Sequence, residues 1–241
     1  LANTRYSNLQ EERLLRIFHG QKPAGLIVTG IDQTPEARAV MRNMNCPIVQ
    51  MMAIGPEPID MMVGLSHSDA AFAAVRHLLE RGYKRIGFLG ARMDPRGQRR
   101  FDGYRDALKA ASLFDQRLVV TTLSPSTVPL GGILLSDLVA RIPDVDAVFC
   151  INDDIALGAL FECQRRQIAV PEQLAIVGLP ELDFLASAVP ALTSVRTNRY
   201  ALGRKAIEML TAAMDDKPPQ QRVTDLGFEI VARASSAPRR M

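Results

Sequence analysis

The stretch Asp146–Asp183 reads DAVFCIN, DDIALGALFECQRR, QIAVPEQ and LAIVGLPELD in succession. Its first part is a short apolar run rich in Val and Phe, the pattern of a strand buried on both faces. Asn152 and Asp153 end that run, and an amphipathic helix follows with Ile155, Leu157, Leu160 and Phe161 at helical spacing. Val170-Pro171 marks a turn, and Leu174 to Leu179 is a second buried strand. Strand, helix and strand in so short a span make one parallel crossover unit. Sheets of this kind bind ligands at the carboxyl ends of their strands. Here those ends carry Asn152-Asp153 and Pro180-Glu181.

The same alternation extends in both directions. Ser7 to Gln10 fits a capping box before a helix with Leu14, Ile17 and Phe18 on one face, broken from Gly20 to Pro23. Ala24–Thr29 and Pro47–Met52 read as strands around a helix that Thr34-Pro35 opens. Ala53 to Pro58 is turn-rich and is the best candidate boundary read from the residues, with a short apolar run, Met61 to Leu65, beyond it. Asp69–Arg81 is helical, Arg85–Gly90 a strand, Ala91–Gly97 a polar loop, and a helix passes through Tyr104 and Leu108. Leu118–Leu123 and Leu130–Arg141 read as strand and helix. Thr193–Val195 is a short strand, Thr197 or Asn198 caps a helix to about Met214, and Asp225–Ala232 is a final edge strand. Ser235 to Met241 reads as a loose tail. The expected class is α/β, with parallel sheets covered by helices on both faces.

Composition excludes several functions. The 241 residues are 47% hydrophobic, ample for a buried core, yet no apolar run nears the ~20 residues of a membrane span. A net charge of +3 does not indicate nucleic acid by itself. Cys46, Cys150 and Cys163 are odd in number and far apart, which points to a reduced, cytoplasmic interior. No Gly-rich phosphate loop, dinucleotide fingerprint or Gly-x-Ser-x-Gly elbow occurs. His19, His67 and His77 lack metal-ligand spacing, and no Cys-x-x-Cys exists. His77, in mid-helix, reads as a helix-surface or interface residue. Neither enzyme chemistry, metal nor cofactor has support.

Three polar constellations remain. Arg92, Arg96, Arg99 and Arg100 fall in a loop and helix start, where cations oppose the helix dipole and an anionic ligand would compensate. A solvated helix start is the bland alternative. Asn152 and Asp153 are both strong helix caps, and the Asn152 amide could instead face a ligand. Arg199 opens the late helix and, taken alone, reads as a surface residue.

Taken in order, these motifs resemble the effector-binding core of the lactose-repressor (LacI) family of bacterial transcription regulators. The resemblance runs through Gly82-Tyr83-Lys84-Arg85-Ile86, Arg100-Phe101-Asp102-Gly103-Tyr104, Asp146 to Ala159, Ile176-Val177-Gly178 and Pro190 to Val195. Pro58–Gly64 and Gly90–Arg96 look most like the gluconate-operon-repressor subgroup. The resemblance implies two periplasmic-binding-protein-like lobes: 1–65 with 196–223, and 66–195 with 224–236, leaving 237–241 as tail. It implies a small polar effector in a cleft, bound by Arg100, Asn152 and Arg199, to which the arginine cluster adds Arg96 and the strand end adds Glu181 as candidate contacts. It also implies a homodimer and operator DNA held by a helix-turn-helix headpiece that is not visible here, nor is the opening strand of the first lobe. Pro180 and Ala53 stand where sugar-binding members often carry acidic residues. With several arginines nearby, this shifts the expected effector towards a sugar acid such as gluconate. A transporter's solute-binding protein shares the fold and is the alternative.

Overall fold

The computed structural model describes residues 1–180 and 182–238. Its elements follow in the order α1 (Asn8–Gln21), β1 (Leu26–Thr29), α2 (Pro35–Arg42), β2 (Ile48–Met51), β3 (Met61–Gly64), α3 (His67–Glu80), β4 (Ile86–Gly90) and α4 (Pro95–Ala110). After these come β5 (Val119–Thr121), α5 (Val128–Arg141), β6 (Ala147–Cys150), α6 (Asp153–Arg165), β7 (Ala175–Gly178), β8 (Thr193–Arg196), α7 (Arg199–Met214), β9 (Val223–Asp225) and β10 (Glu229–Val231). The chain divides into two compact units, one of Leu1–Ser66 with Asn198–Gly227, the other of His67–Thr197 with the chain from Phe228 on. Among the described residues no helix is long and apolar enough to cross a membrane.

The first unit is a four-stranded, all-parallel sheet in the order β1-β2-β3-β9. Adjacent residues of β2 serve opposite faces, as the two-residue period of a strand requires. Ile48 joins Leu15, Ala37 and Met41 under α1 and α2, whereas Val49 joins Met61, Val63, Ala206 and Met209 under α7. The next residue, Gln50, is fully buried, so its amide needs partners. It donates to Gln33 Oε1 (2.7 Å) and accepts from the Ile59 backbone (2.8 Å). Ser7 and Thr34 cap α1 and α2 by accepting from Gln10 and Ala37. The first helix runs on through Gly20 and ends only where Lys22 turns left-handed.

Ala53–Pro58 lies inside this unit and is no boundary. Backbone bonds from Met52 to Val63 and from Ile54 to Leu65 hold it against the next strand. Turn-forming residues here belong to the connection between two parallel strands of one sheet, a local signal that does not distinguish a turn from a linker.

The second unit carries six strands in the order β10-β8-β7-β6-β4-β5, parallel except for β10. Strands β4, β6 and β7 are buried throughout, which explains why their sequences are continuously apolar. Asp146 anchors the start of β6 by accepting from the backbone of Arg85 (2.9 Å) and Lys84 (3.1 Å). On one face Phe88 packs against Phe101, Tyr104 and Phe149, and the Tyr104 hydroxyl donates to Ile86 (2.8 Å). Helices α5 and α6 cross where Gly158 meets Gly131. A Cβ on Gly158 would come within 1.9 Å of the Val128 carbonyl.

Three expectations are corrected. Asp225–Ala232 is not one edge strand but two short ones. Val223–Asp225 extends the first sheet beside β3, and Glu229–Val231 pairs antiparallel with β8 in the second. Gly227, with φ 65°, makes the turn between them after donating its backbone N–H to Asp225. Alternating polarity over so short a span cannot reveal a change of sheet. The start of the supposed tail is also not loose: Ser235 and Ser236 are fully buried. Ser235 Oγ donates to Ile176 (2.6 Å) and accepts from the Thr193 backbone (2.8 Å). Ser236 Oγ bonds to Thr193 Oγ1 and to His77 Nε2, both at 2.7 Å. His77 therefore faces inward rather than a surface, and burial pushes its pKa down to about 4.

The glycines differ in what they permit. Gly158→Ala should destabilise the chain by about 1–3 kcal/mol, because the added methyl overpacks a backbone crossing. Gly203, inside α7 with open space around it, should give the opposite result on conversion to Ala, a gain of about 0.5–1 kcal/mol in urea denaturation.

Candidate functional site

In the second unit, the carboxyl ends of β4, β6 and β7 meet the first turns of α4 and α6. Asp94 caps α4 by accepting from Gly97 (2.8 Å), and Pro95 occupies the first helical position. The helix thus begins earlier than the polar loop expected to Gly97, which places Arg96 and Arg100 on the helix itself. Before the cap, Arg92 and Met93 both adopt left-handed backbone, with φ 64° and 43°. Each costs of order 1 kcal/mol for a residue with a side chain, a strain that tends to gather at functional sites. Gly97 lets α4 approach Ile151, whose Cδ1 would lie 2.9 Å from an added Cβ.

Arg100 lies one turn further along and is 9% exposed. Its Nη1 donates to the Ile151 carbonyl (2.7 Å) and, more distantly, to Leu179 (3.5 Å). Nε and Nη2 both lie 3.4 Å from His67 Nδ1, on the first residue of α3. The guanidinium therefore joins the chain leaving β6 to the chain leaving β7. Asn152 is the cap of α6. Its Oδ1 accepts from Ile155 (3.1 Å) and its Nδ2 donates to Ser126 Oγ (2.6 Å).

Asp153 is not a cap, because Asn152 already fills that position and Asp153 has entered the helix. It is 1% exposed, with Oδ1 accepting from Ser194 Oγ (3.0 Å) and Oδ2 buried without a hydrogen-bond partner. Burial raises its pKa to about 7. Ser194, the Leu182 backbone amide and Arg100 pull it down, and Asp154 pushes it up.

The structure brings Arg100, Asn152 and the start of α4 together within this unit. Arg96 is half-buried and lies 3.6 Å from Asp94. Arg199 belongs to the other unit, where it is exposed as the first residue of α7, directly after the Asn198 cap. Glu181 lies outside the described residues. His67, Ser126 and Ser194 were missed in the sequence. Ser194, a hydroxyl inside the short strand expected at Thr193–Val195, was the one available signal, since a polar group in a buried strand needs a partner. Among the described residues no cluster of His, Cys, Asp and Glu could hold a metal ion.

The family model of the periplasmic binding protein-like domain matches residues 75–236. The HTH-type transcriptional regulator GntR of Pseudomonas aeruginosa is 41% identical over 236 residues, 98% of this chain and 69% of that protein. The HTH-type transcriptional regulator IdnR of Escherichia coli is 34% identical, over 95% of this chain and 69% of its own length. Among solved structures, the transcription regulator GntR from Chromobacterium violaceum superposes with a TM-score of 0.94. It is 41% identical and covers 98% of this chain and 86% of that one.

The state of Asp153 predicts a pH dependence of stability. Its pKa of about 7 lies above the ordinary 3.8, so between roughly pH 4 and 7 the folded chain holds a proton that the unfolded chain releases. This group's contribution to stability therefore falls as pH rises through that window. His77, shifted the other way, contributes a rise between about 4 and 6.5. The difference between wild type and Asp153→Asn isolates the first effect. In urea titrations at pH 5, 6 and 7, wild type should lose on the order of 1 kcal/mol per pH unit relative to the variant.

Proposed function

Because the chain belongs to the LacI family of transcriptional regulators, as its periplasmic-binding-protein-like effector domain, we propose that it senses a small sugar acid of the gluconate type. The observation that carries this reading is Arg100, a buried guanidinium fixed where the chain leaves β6 and β7. The amino ends of α4 and α6 lie beside the same junction and add partial positive charge. A guanidinium held in this way suits a carboxylate, with its donor fork already oriented.

Asn152 supplies an amide beside it for hydroxyl groups, and Arg96 a second guanidinium on the same helix. Glu181 and Arg199 are the remaining proposed contacts. Proline at position 180, where a carboxylate would serve a neutral sugar's hydroxyls, also favours an acid. The relatives named above are called GntR and IdnR, names consistent with an acid of this class.

Effector binding would then shift the equilibrium between two conformations and so the affinity of an attached headpiece for operator DNA. A homodimer is proposed as the working form. It is supported by exposed apolar side chains on the second unit, with Ile133 on α5, Phe161 on α6, and Phe184 and Val189 in the segment after β7. Gln164 of α6 ties that segment down by donating to the Val189 carbonyl (2.6 Å).

Titration calorimetry tests the effector. Gluconate should bind and glucose should not, and Arg100→Ala should weaken gluconate by about 10- to 100-fold, the worth of a charged hydrogen-bonded contact. Glucose binding as tightly as gluconate would refute the anion argument. The dimer is tested separately by sedimentation: Phe161→Glu should yield monomer, with gluconate affinity changed less than about threefold.

A further inference from the structure

Asp153 follows the Asn152 cap at the start of α6, is buried, and has a restricted set of neighbours. Ser194 on β8 gives its Oδ1 one hydrogen bond, and a Cβ on Gly178 of β7 would lie 2.8 Å from the same oxygen. Its other oxygen is buried without a hydrogen-bond partner, and the Leu182 backbone amide is the other neighbour that favours the charged carboxylate. Neither strand brings a charge. Among the described residues the titratable or charged groups acting on it are Arg100 from α4, Asp154 on its own helix and Cys150 at the end of β6. His67 of α3 stands behind Arg100, against the guanidinium. Arg100 is thus the cation that favours the charged form, and it bonds to Ile151, two residues upstream of Asp153.

We infer that an effector carboxylate engaging Arg100 drives uptake of a proton onto Asp153, so that effector binding and protonation of this buried carboxyl are one coupled event. The inference rests on the sugar-acid reading above and adds a regulation of the same site. The physical chain is short. An anion on the guanidinium offsets the positive charge that favours ionised Asp153 and places a second negative charge nearby. Both effects make the charged carboxylate costlier. Because Oδ2 is closed to solvent, a ligand hydroxyl cannot reach it to compensate. The group is poised for such a response, since burial already brings its pKa to about 7. A neutral ligand at the same place would leave the proton where it is. The proton thereby adds a chemical distinction between an acid and a neutral sugar of the same shape.

Asp153 acts here as a positioning residue, and proton count is the readout that a merely structural role would not move. Gluconate is titrated into the chain at pH 7 in phosphate and in Tris, buffers whose ionisation enthalpies differ. If the bound anion raises the pKa of Asp153 by about one, the two heats should report about 0.4 proton taken up per gluconate. Affinity should then weaken about fivefold between pH 6 and pH 8. In Asp153→Asn the buffer dependence should vanish and the affinity should no longer vary across that range. Binding of gluconate with no proton exchanged, or with proton release, overturns the inference and leaves the sugar-acid reading standing. Gluconate that fails to bind at any of these pH values removes the reading itself, and this inference with it.

Discussion

The second unit depends on what happens where its central strand stops. At Ile151 the chain must leave a fully buried parallel sheet, give up its ladder bonds and start a helix without stranding polar groups in the interior. Arg100 and Asn152 solve this from two sides. The guanidinium takes the Ile151 carbonyl that the sheet no longer serves, and the Asn152 side chain takes an amide at the start of α6. One residue type satisfies a carbonyl and the other an N–H, so their identities follow from the backbone before any ligand is considered. That double duty constrains the site. Both groups are fixed by the fold, and the positive charge of Arg100 remains where the fold leaves it.

Much of this was legible in the residues. The continuously apolar strands, the caps at Ser7, Thr34 and Asn198, and the order of motifs led to the α/β class and the family, because each rests on short-range chemistry. Arg100 and Asn152 were likewise singled out from the sequence. What escaped depends on distant packing. Asp153 read as a cap because Asp is a good cap, but the preceding Asn took that place and Ser194, forty-one positions away, received the carboxylate. His77 looked like a surface residue until Ser236, 159 positions on, covered it. Asp225–Ala232 read as one strand because no local pattern states which sheet a strand joins.

The two units solve their buried polarity in different ways. In the first, the amides of Gln50 and Gln33 pair with each other, and their remaining bonds go to the Ile59 and Gly30 backbone and, at 3.5 Å, to the Glu11 carboxylate. In the second, the interior holds a carboxyl, an imidazole and a guanidinium, and the first two have their pKa values moved in opposite directions by the same cause. Desolvation neutralises an acid by adding a proton and a base by removing one. The unit that holds Arg100 thus also holds two buried groups whose protonation burial shifts.

The interleaving of the units in the chain has a consequence for synthesis. Leu1–Ser66 is made before Asn198–Gly227, and until that later segment arrives its unit lacks α7 and β9. The whole central body of the second unit, His67–Thr197, emerges in between. The partner edge of β3 and the apolar face that α7 covers must therefore wait, unpaired, while all of His67–Thr197 is made. The second unit in turn receives β10 and the buried pair Ser235-Ser236 only after Asn198–Gly227 has been made. Neither unit can close until its later segment is made, and meanwhile the nascent chain carries an open sheet edge, the kind of surface that chaperones engage.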